Sequence, residues 1–234
     1  MKSSTTQFNP VNKTSGSSEI KMRGIQLALI MALGSLTYGC SNVERSRDLD
    51  NASVPASVTA VQVCSNCHGV DGNPVSPNFP RLAGQQPEYF ISQMQNFRSH
   101  KRADPEGFEY MWGLSRNLTD KQIEGLADYF SKQKVRTTVA NDFDPKLIAT
   151  GKEIYEQGVP DQSVIACSAC HGQKGEGTGA FPRLANQHAD YLVKQLNVFQ
   201  NTQQRPGTPM EMISHPLTGE HKDAVAAFLQ TFPN

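Results

Sequence analysis

An excess of charge of one sign is what this chain lacks: its 234 residues carry 22 Lys plus Arg against 22 Asp plus Glu, with no basic block. Lacking such a block, and lacking cationic residues interleaved with aromatics, it has no signature of a groove that tracks a nucleic-acid backbone. The apolar run at 25–36 falls short of the roughly 20 residues that a membrane-spanning helix needs. Nothing alternates in the manner of a strand meander. No paired acid and base and no nucleophile constellation stands out, so the composition favours neither hydrolysis nor group transfer. Hydrophobic residues make up 37% of the chain, which is modest for burying two ordinary cores.

Cysteine is scarce as well, at five residues, but four of the five are organised. Cys64-Ser65-Asn66-Cys67-His68 and Cys167-Ser168-Ala169-Cys170-His171 are two CxxCH motifs, the attachment pattern of c-type haem. Two thiols three positions apart reach the two vinyl groups of one haem, and the histidine that follows lands beneath the iron. A zinc ribbon spaces its CxxC pairs about 15 to 20 residues apart, whereas the gap here could hold a domain. A thioredoxin-like motif needs a βαβ setting, and these flanks are helical and rich in Gly and Pro. Two covalently bound haem c groups also supply the apolar bulk that the composition lacks.

The fifth cysteine, Cys40, ends the segment that Lys21 and Arg23 precede and the 25–36 run fills, which reads as a secretory signal. Leu36-Thr37-Tyr38-Gly39-Cys40 resembles a bacterial lipobox, making Cys40 a lipidation candidate; the other reading is a cysteine discarded with the signal or left free. Lipidation would tether the protein to a membrane in the periplasm of a Gram-negative bacterium. Without its first 40 residues the chain keeps 18 basic and 21 acidic residues.

The text around the haem motifs repeats. Phe79-Pro80-Arg81-Leu82-Ala83-Gly84-Gln85 recurs as Phe181-Pro182-Arg183-Leu184-Ala185-Asn186-Gln187. Tyr89, Gln93 and Phe97 recur as Tyr191, Gln195 and Phe199, and Met111 and Leu118 as Met210 and Leu217. The expected fold is therefore all-α, two tandem helical domains that each enclose one haem. The expected boundaries are an extension and signal at 1–40, a tether at 41–57, a first domain at 58–136, a linker at 137–145 and a second domain at 146–234. Asp144 and Pro145 open a helix in which Leu147, Ile148, Gly151, Ile154 and Tyr155 keep a helical period, with the glycine allowing a close crossing. The matching stretch at 56–63 is shorter and lacks that glycine. Pro87 and His188 begin a second helix in each half, and Thr119-Asp120-Lys121-Gln122 and Gly219-Glu220-His221-Lys222 introduce the last ones.

His68 and His171 are the expected iron ligands on one face of each haem. On the other face the repeat-matched Met111 and Met210 are the candidates, with Met212 the near alternative to Met210 and Met94 a core residue. A thioether stabilises ferrous iron, raises the potential and closes the site to small molecules. His100 and His215 could displace a methionine; together with His188 and His221 they read as solvated surface residues. Pro80 and Pro182 are candidates for the carbonyls that accept the ring N–H of the iron-bound histidines, and otherwise rigidify a loop. Arg81 and Arg183 could pair with haem propionates, and otherwise lie exposed.

With the twin CxxCH, the twin Phe-Pro-Arg-Leu-Ala-x-Gln and the paired methionines in view, the chain resembles the dihaem cytochrome c4 family over residues 58–234. The resemblance implies two class-I cytochrome c domains related by pseudo-two-fold symmetry, with His/Met ligation and periplasmic electron carriage toward a terminal oxidase. Quinol-oxidising or dehydrogenase complexes would be the other redox partners. The competing readings are the haem subunit of a dehydrogenase complex and a dihaem enzyme such as a peroxidase or a thiosulfate-oxidising cytochrome, which needs an open sixth position.

Overall fold

The computed structural model describes residues 53–137, 143–200 and 204–232. The signal-type segment with Cys40 and most of the expected tether lie outside the described residues, as does the middle of the linker. What is described is all-α, as the sequence predicts, and repeats one helical plan twice. Among these residues only isolated bridges, Val159 with Val164 and Thr178 with Phe181, have strand-like pairing.

In the first module α1 (Ala56–Thr59) runs through a π-helical turn (Ala60–Cys64) into α2 (Ser65–His68), so one rod delivers the first haem motif. Then come α3 (Pro87–Arg98), a π-helical turn (Gly107–Met111) leading into α4 (Trp112–Ser115), and α5 (Asp120–Ser131). Helix α1 begins ahead of the boundary expected at 58, because Ala56 packs on α5 where that helix carries Gly125. The second module has α6 (Pro145–Gln157), a 3-10 turn (Pro160–Gln162), α7 (Ser168–His171), α8 (Ala189–Phe199), α9 (Met210–Ser214) and α10 (Gly219–Gln230). Here the first helix stops at Gly158, whose φ of 76° reverses the chain, and a short loop separates it from the haem motif. Helix α6 starts at Pro145, within the span expected as linker.

The helix starts follow their local chemistry. Thr119 accepts from the Gln122 N–H while the Gln122 side chain accepts from the Thr119 N–H, a reciprocal cap on α5. Thr218 accepts from the His221 N–H on α10, and Asp144 accepts from the Lys146 N–H on α6. Ile123, Leu126, Ala127 and Phe130 recur at helical spacing and are all buried, meeting Phe90, Met94 and Phe97 of α3. In the second module Val225, Phe228 and Leu229 meet Ile154 and Tyr155 of α6 and Leu192 of α8. Each module thus has its own core, and each core walls one side of the space beside its CxxCH motif.

Candidate haem sites

Each histidine of a CxxCH motif sits at the end of a single helical turn, followed by a glycine with φ near +80°: Gly69 at 75° and Gly172 at 83°. A side chain at position 69 would strike the Asn73 carbonyl, 2.8 Å from its Cβ. The chain therefore leaves the helix sharply and returns along the Phe-Pro-Arg-Leu segment. That return brings the Pro80 carbonyl to 3.0 Å from His68 Nδ1 and the Pro182 carbonyl to 3.0 Å from His171 Nδ1. A carbonyl only accepts, so Nδ1 carries the proton in both rings, which leaves the lone pair on Nε2. Burial lowers the pKa of both imidazoles, opposed in part by the carbonyl bond, so both are neutral, the form that binds a metal. Burial also pushes the thiols of Cys64 and Cys167 up to about 11.

One continuous cavity of about 510 Å³ takes in both sites. All four motif cysteines, both motif histidines, Met111 and Met210 line it. Met212 does not, and is 74% exposed. His215 lies outside the lining and is exposed, and so does His100, whose ring stacks on Trp112 with centroids 4.0 Å apart. Met94 is a buried core residue that also faces the cavity.

The arginines of the repeated segment are not simple surface residues. Arg81 is buried; its Nη1 donates to the Asn186 carbonyl and, at 2.9 Å, to that of Arg136, while its Nε is buried with no protein partner. Arg183 Nε is likewise buried and unpartnered, and both side chains line the cavity. A buried guanidinium satisfied only by carbonyls is costly. An acceptor-only anion would complete both, and haem propionates have that chemistry. The donor set of two thiols, a neutral imidazole and a thioether at each end of an apolar cavity fits haem c.

One expectation fails. His188 is not solvated but 9% exposed, its Nε2 3.2 Å from the Pro74 carbonyl of the first module. It sits where the second module's loop presses on the first, which no local pattern in the sequence marks. His221 is half-buried, with its Nδ1 enclosed and unpartnered.

Sequence reasoning also missed a buried cluster between the modules. Arg102 bonds Asp104 at 2.7 Å, Gln93 at 3.0 Å and Gln195 at 3.1 Å, and Arg205 bonds Gln195 at 2.6 Å and Gln93 at 2.8 Å. Each guanidinium also lies over a phenylalanine of its own module, Arg102 on Phe97 and Arg205 on Phe199. Gln93 and Gln195 match in the repeat and were legible as a pair. The arginines are 103 residues apart where the glutamines are 102 apart, so alignment alone did not join them.

The comparisons agree with this layout. The family model described as Cytochrome c matches residues 57–134 and again 148–233. Cytochrome c4 of Pseudomonas aeruginosa is 38% identical over 173 residues, covering 72% of this chain and 83% of that one. A thiosulfate dehydrogenase electron acceptor of Stutzerimonas stutzeri is 30% identical over 177 residues, covering 75% and 80%. The crystal structure of reduced recombinant cytochrome c4 from Pseudomonas stutzeri superposes with a TM-score of 0.69 at 34% identity, covering 76% of this chain and 97% of that one.

Proposed function

Since the chain belongs to the cytochrome c family, as a dihaem cytochrome of the c4 type with two covalent haem c groups, we propose that it is a periplasmic electron carrier feeding a terminal oxidase. In this reading His68 and Met111 would hold the first haem iron, and His171 and Met210 the second. Bound haem supplies one-electron exchange between ferric and ferrous iron. The residues do the rest. Cys64, Cys67, Cys167 and Cys170 fix the macrocycles through thioethers, Pro80 and Pro182 hold the imidazoles in one tautomer and orientation, and Arg81 and Arg183 face the propionates. Met111 and Met210 would supply a thioether to each iron, which favours the reduced state and denies entry to small ligands.

One observation carries the proposal: a repeat-matched methionine and a neutral, oriented histidine line the cavity in each module. Closed coordination at both sites suits a carrier and not a peroxidase. Carbon monoxide added to the reduced holoprotein at neutral pH is expected to leave the spectrum unchanged; ready binding at either haem would overturn the reading. The export segment ahead of Cys40 supports the periplasm, and mass spectrometry of the mature N-terminus tests whether Cys40 is acylated. Likeness to a thiosulfate dehydrogenase electron acceptor favours one second reading, in which a thiosulfate-oxidising dehydrogenase is the donor. Stopped-flow reduction by that class of enzyme, compared with reduction by a quinol-oxidising complex, separates the two.

A further inference from the structure

The peptide group that orients each histidine is held on its other side by the opposite module. Pro80 contributes its carbonyl to His68, and the N–H of that same peptide, on Arg81, donates to Gln187 Oε1 at 2.7 Å. Gln187 Nε2 returns a bond to the Arg81 carbonyl at 3.0 Å. The mirror arrangement is complete. Pro182 contributes its carbonyl to His171, the Arg183 N–H donates to Gln85 Oε1 at 2.7 Å, and Gln85 Nε2 donates to the Arg183 carbonyl at 3.2 Å. Both glutamines are buried, at 8% and 6% exposure for Gln85 and Gln187, so water does not substitute for them. The chain runs from ring N–H to carbonyl, through one amide, from N–H to side-chain oxygen, and so into the other module.

We propose that Gln85 and Gln187 are crossed positioning residues: Gln187 sets the potential of the haem held by Cys64 and Cys67, and Gln85 that of the haem held by Cys167 and Cys170. The proposal rests on the reading of His68 and His171 as iron ligands. Hydrogen bonds in series polarise one another. Accepting the Arg81 N–H draws electron density toward the Pro80 oxygen, which becomes the better acceptor for His68 Nδ1–H. The imidazole then gains anionic character and becomes more basic, which favours ferric iron. Seating one module on the other therefore lowers the partner haem's potential, and loosening the contact raises it.

The test uses the holoprotein with ¹⁵N-labelled histidine. In the ferrous state the Nδ1–H resonances of His68 and His171 report their hydrogen bonds separately, assigned through the neighbouring rings of Phe79 and Phe181. Gln187→Leu removes the acceptor at nearly constant volume. It should move the His68 resonance upfield, leave that of His171 in place, and raise the ferrous-to-ferric ratio of the first haem about threefold at fixed ambient potential. Gln85→Leu should do the converse. Gln187→Glu keeps an acceptor at the same atom and makes it stronger, so at alkaline pH it should move the His68 resonance downfield. This variant carries the test alone if the leucine variant does not accumulate. Equal shifts at both histidines, a shift confined to the glutamine's own module, or no shift would overturn the relay. A ¹⁵Nε2 resonance of His68 or His171 in the ferrous wild type at the position of a free imidazole would instead overturn the ligand assignment beneath it.

Discussion

Gly151 on α6 lies against the Ala224 carbonyl on α10 so closely that a Cβ at Gly151 would stand 1.9 Å from that oxygen. The first module makes the matching crossing with the roles exchanged: Gly125 on α5 faces Ala56 on α1, where an added Cβ would meet the alanine methyl at 2.8 Å. Gly125 and Ala224 occupy equivalent places in the repeat. Gly151→Ala pushes a methyl into backbone that cannot retreat without moving a buried helix, a cost of about 3 kcal/mol or more. Gly125→Ala meets a methyl in the first turn of α1, and the gain in helix propensity offsets up to about 1 kcal/mol. Urea unfolding followed at the haem bands should show the second module failing early in Gly151→Ala, with a much smaller change in Gly125→Ala.

The methionine assignments separate cleanly. Met111→Ala and Met210→Ala should each remove about half of the far-red charge-transfer band of the oxidised protein and open one haem to carbon monoxide. Met212→Ala should change neither, because Met212 is 74% exposed and off the cavity. A carbon monoxide response in Met212→Ala with none in Met210→Ala would reverse the ligand.

Features set by local pattern were legible in the sequence. The CxxCH motifs, the Thr119 cap, the apolar face of α5 and the module repeat all follow from local pattern, where periodicity and capping chemistry speak directly, whereas the cap of α10 falls on Thr218, one residue ahead of the start expected at Gly219. The Gly151 crossing was legible too, but its counterpart was not, because the glycine moved to the opposite helix and no motif reading follows that exchange. Interface chemistry was the least legible. Gln85 and Gln187 stood in the repeated motif without a role, since the amides they hold lie about a hundred residues away. Arg102, Asp104 and Arg205 belong to loops of unequal length. His188 reads as an ordinary polar helix start until Pro74 of the other module covers it.

Asp104 is the one carboxylate in the Arg102, Arg205, Gln93 and Gln195 cluster. Burial works to raise its pKa, but the Arg102 charge and hydrogen bonds outweigh that, and the carboxyl is held below its ordinary value. Removing one member of a buried ion pair leaves the other uncompensated, at a cost of about 3–5 kcal/mol. Asp104→Ala should lower the stability of both modules' contact by that order, read as a lower urea midpoint. Gln195→Ala, which leaves the ion pair in place, should cost less.

His188 gives the interface a pH dependence of known sign. Its pKa is lowered by burial first and by the Arg81 charge next, against the opposing effects of the Pro74 carbonyl and Asp190. The unfolded chain titrates near 6.5, so between that pH and the lower folded value the unfolded state binds the extra proton. Stability from this group is thus complete above about pH 6.5 and is lost as pH falls through the window toward the folded pKa. Held on iron as proposed, His68 and His171 would not titrate there. His188→Gln keeps a donor toward Pro74 but cannot be protonated, so thermal midpoints measured from pH 8 down to pH 5 should fall less steeply in the variant than in the wild type. Parallel curves for the two proteins would show that His188 is not the group that titrates.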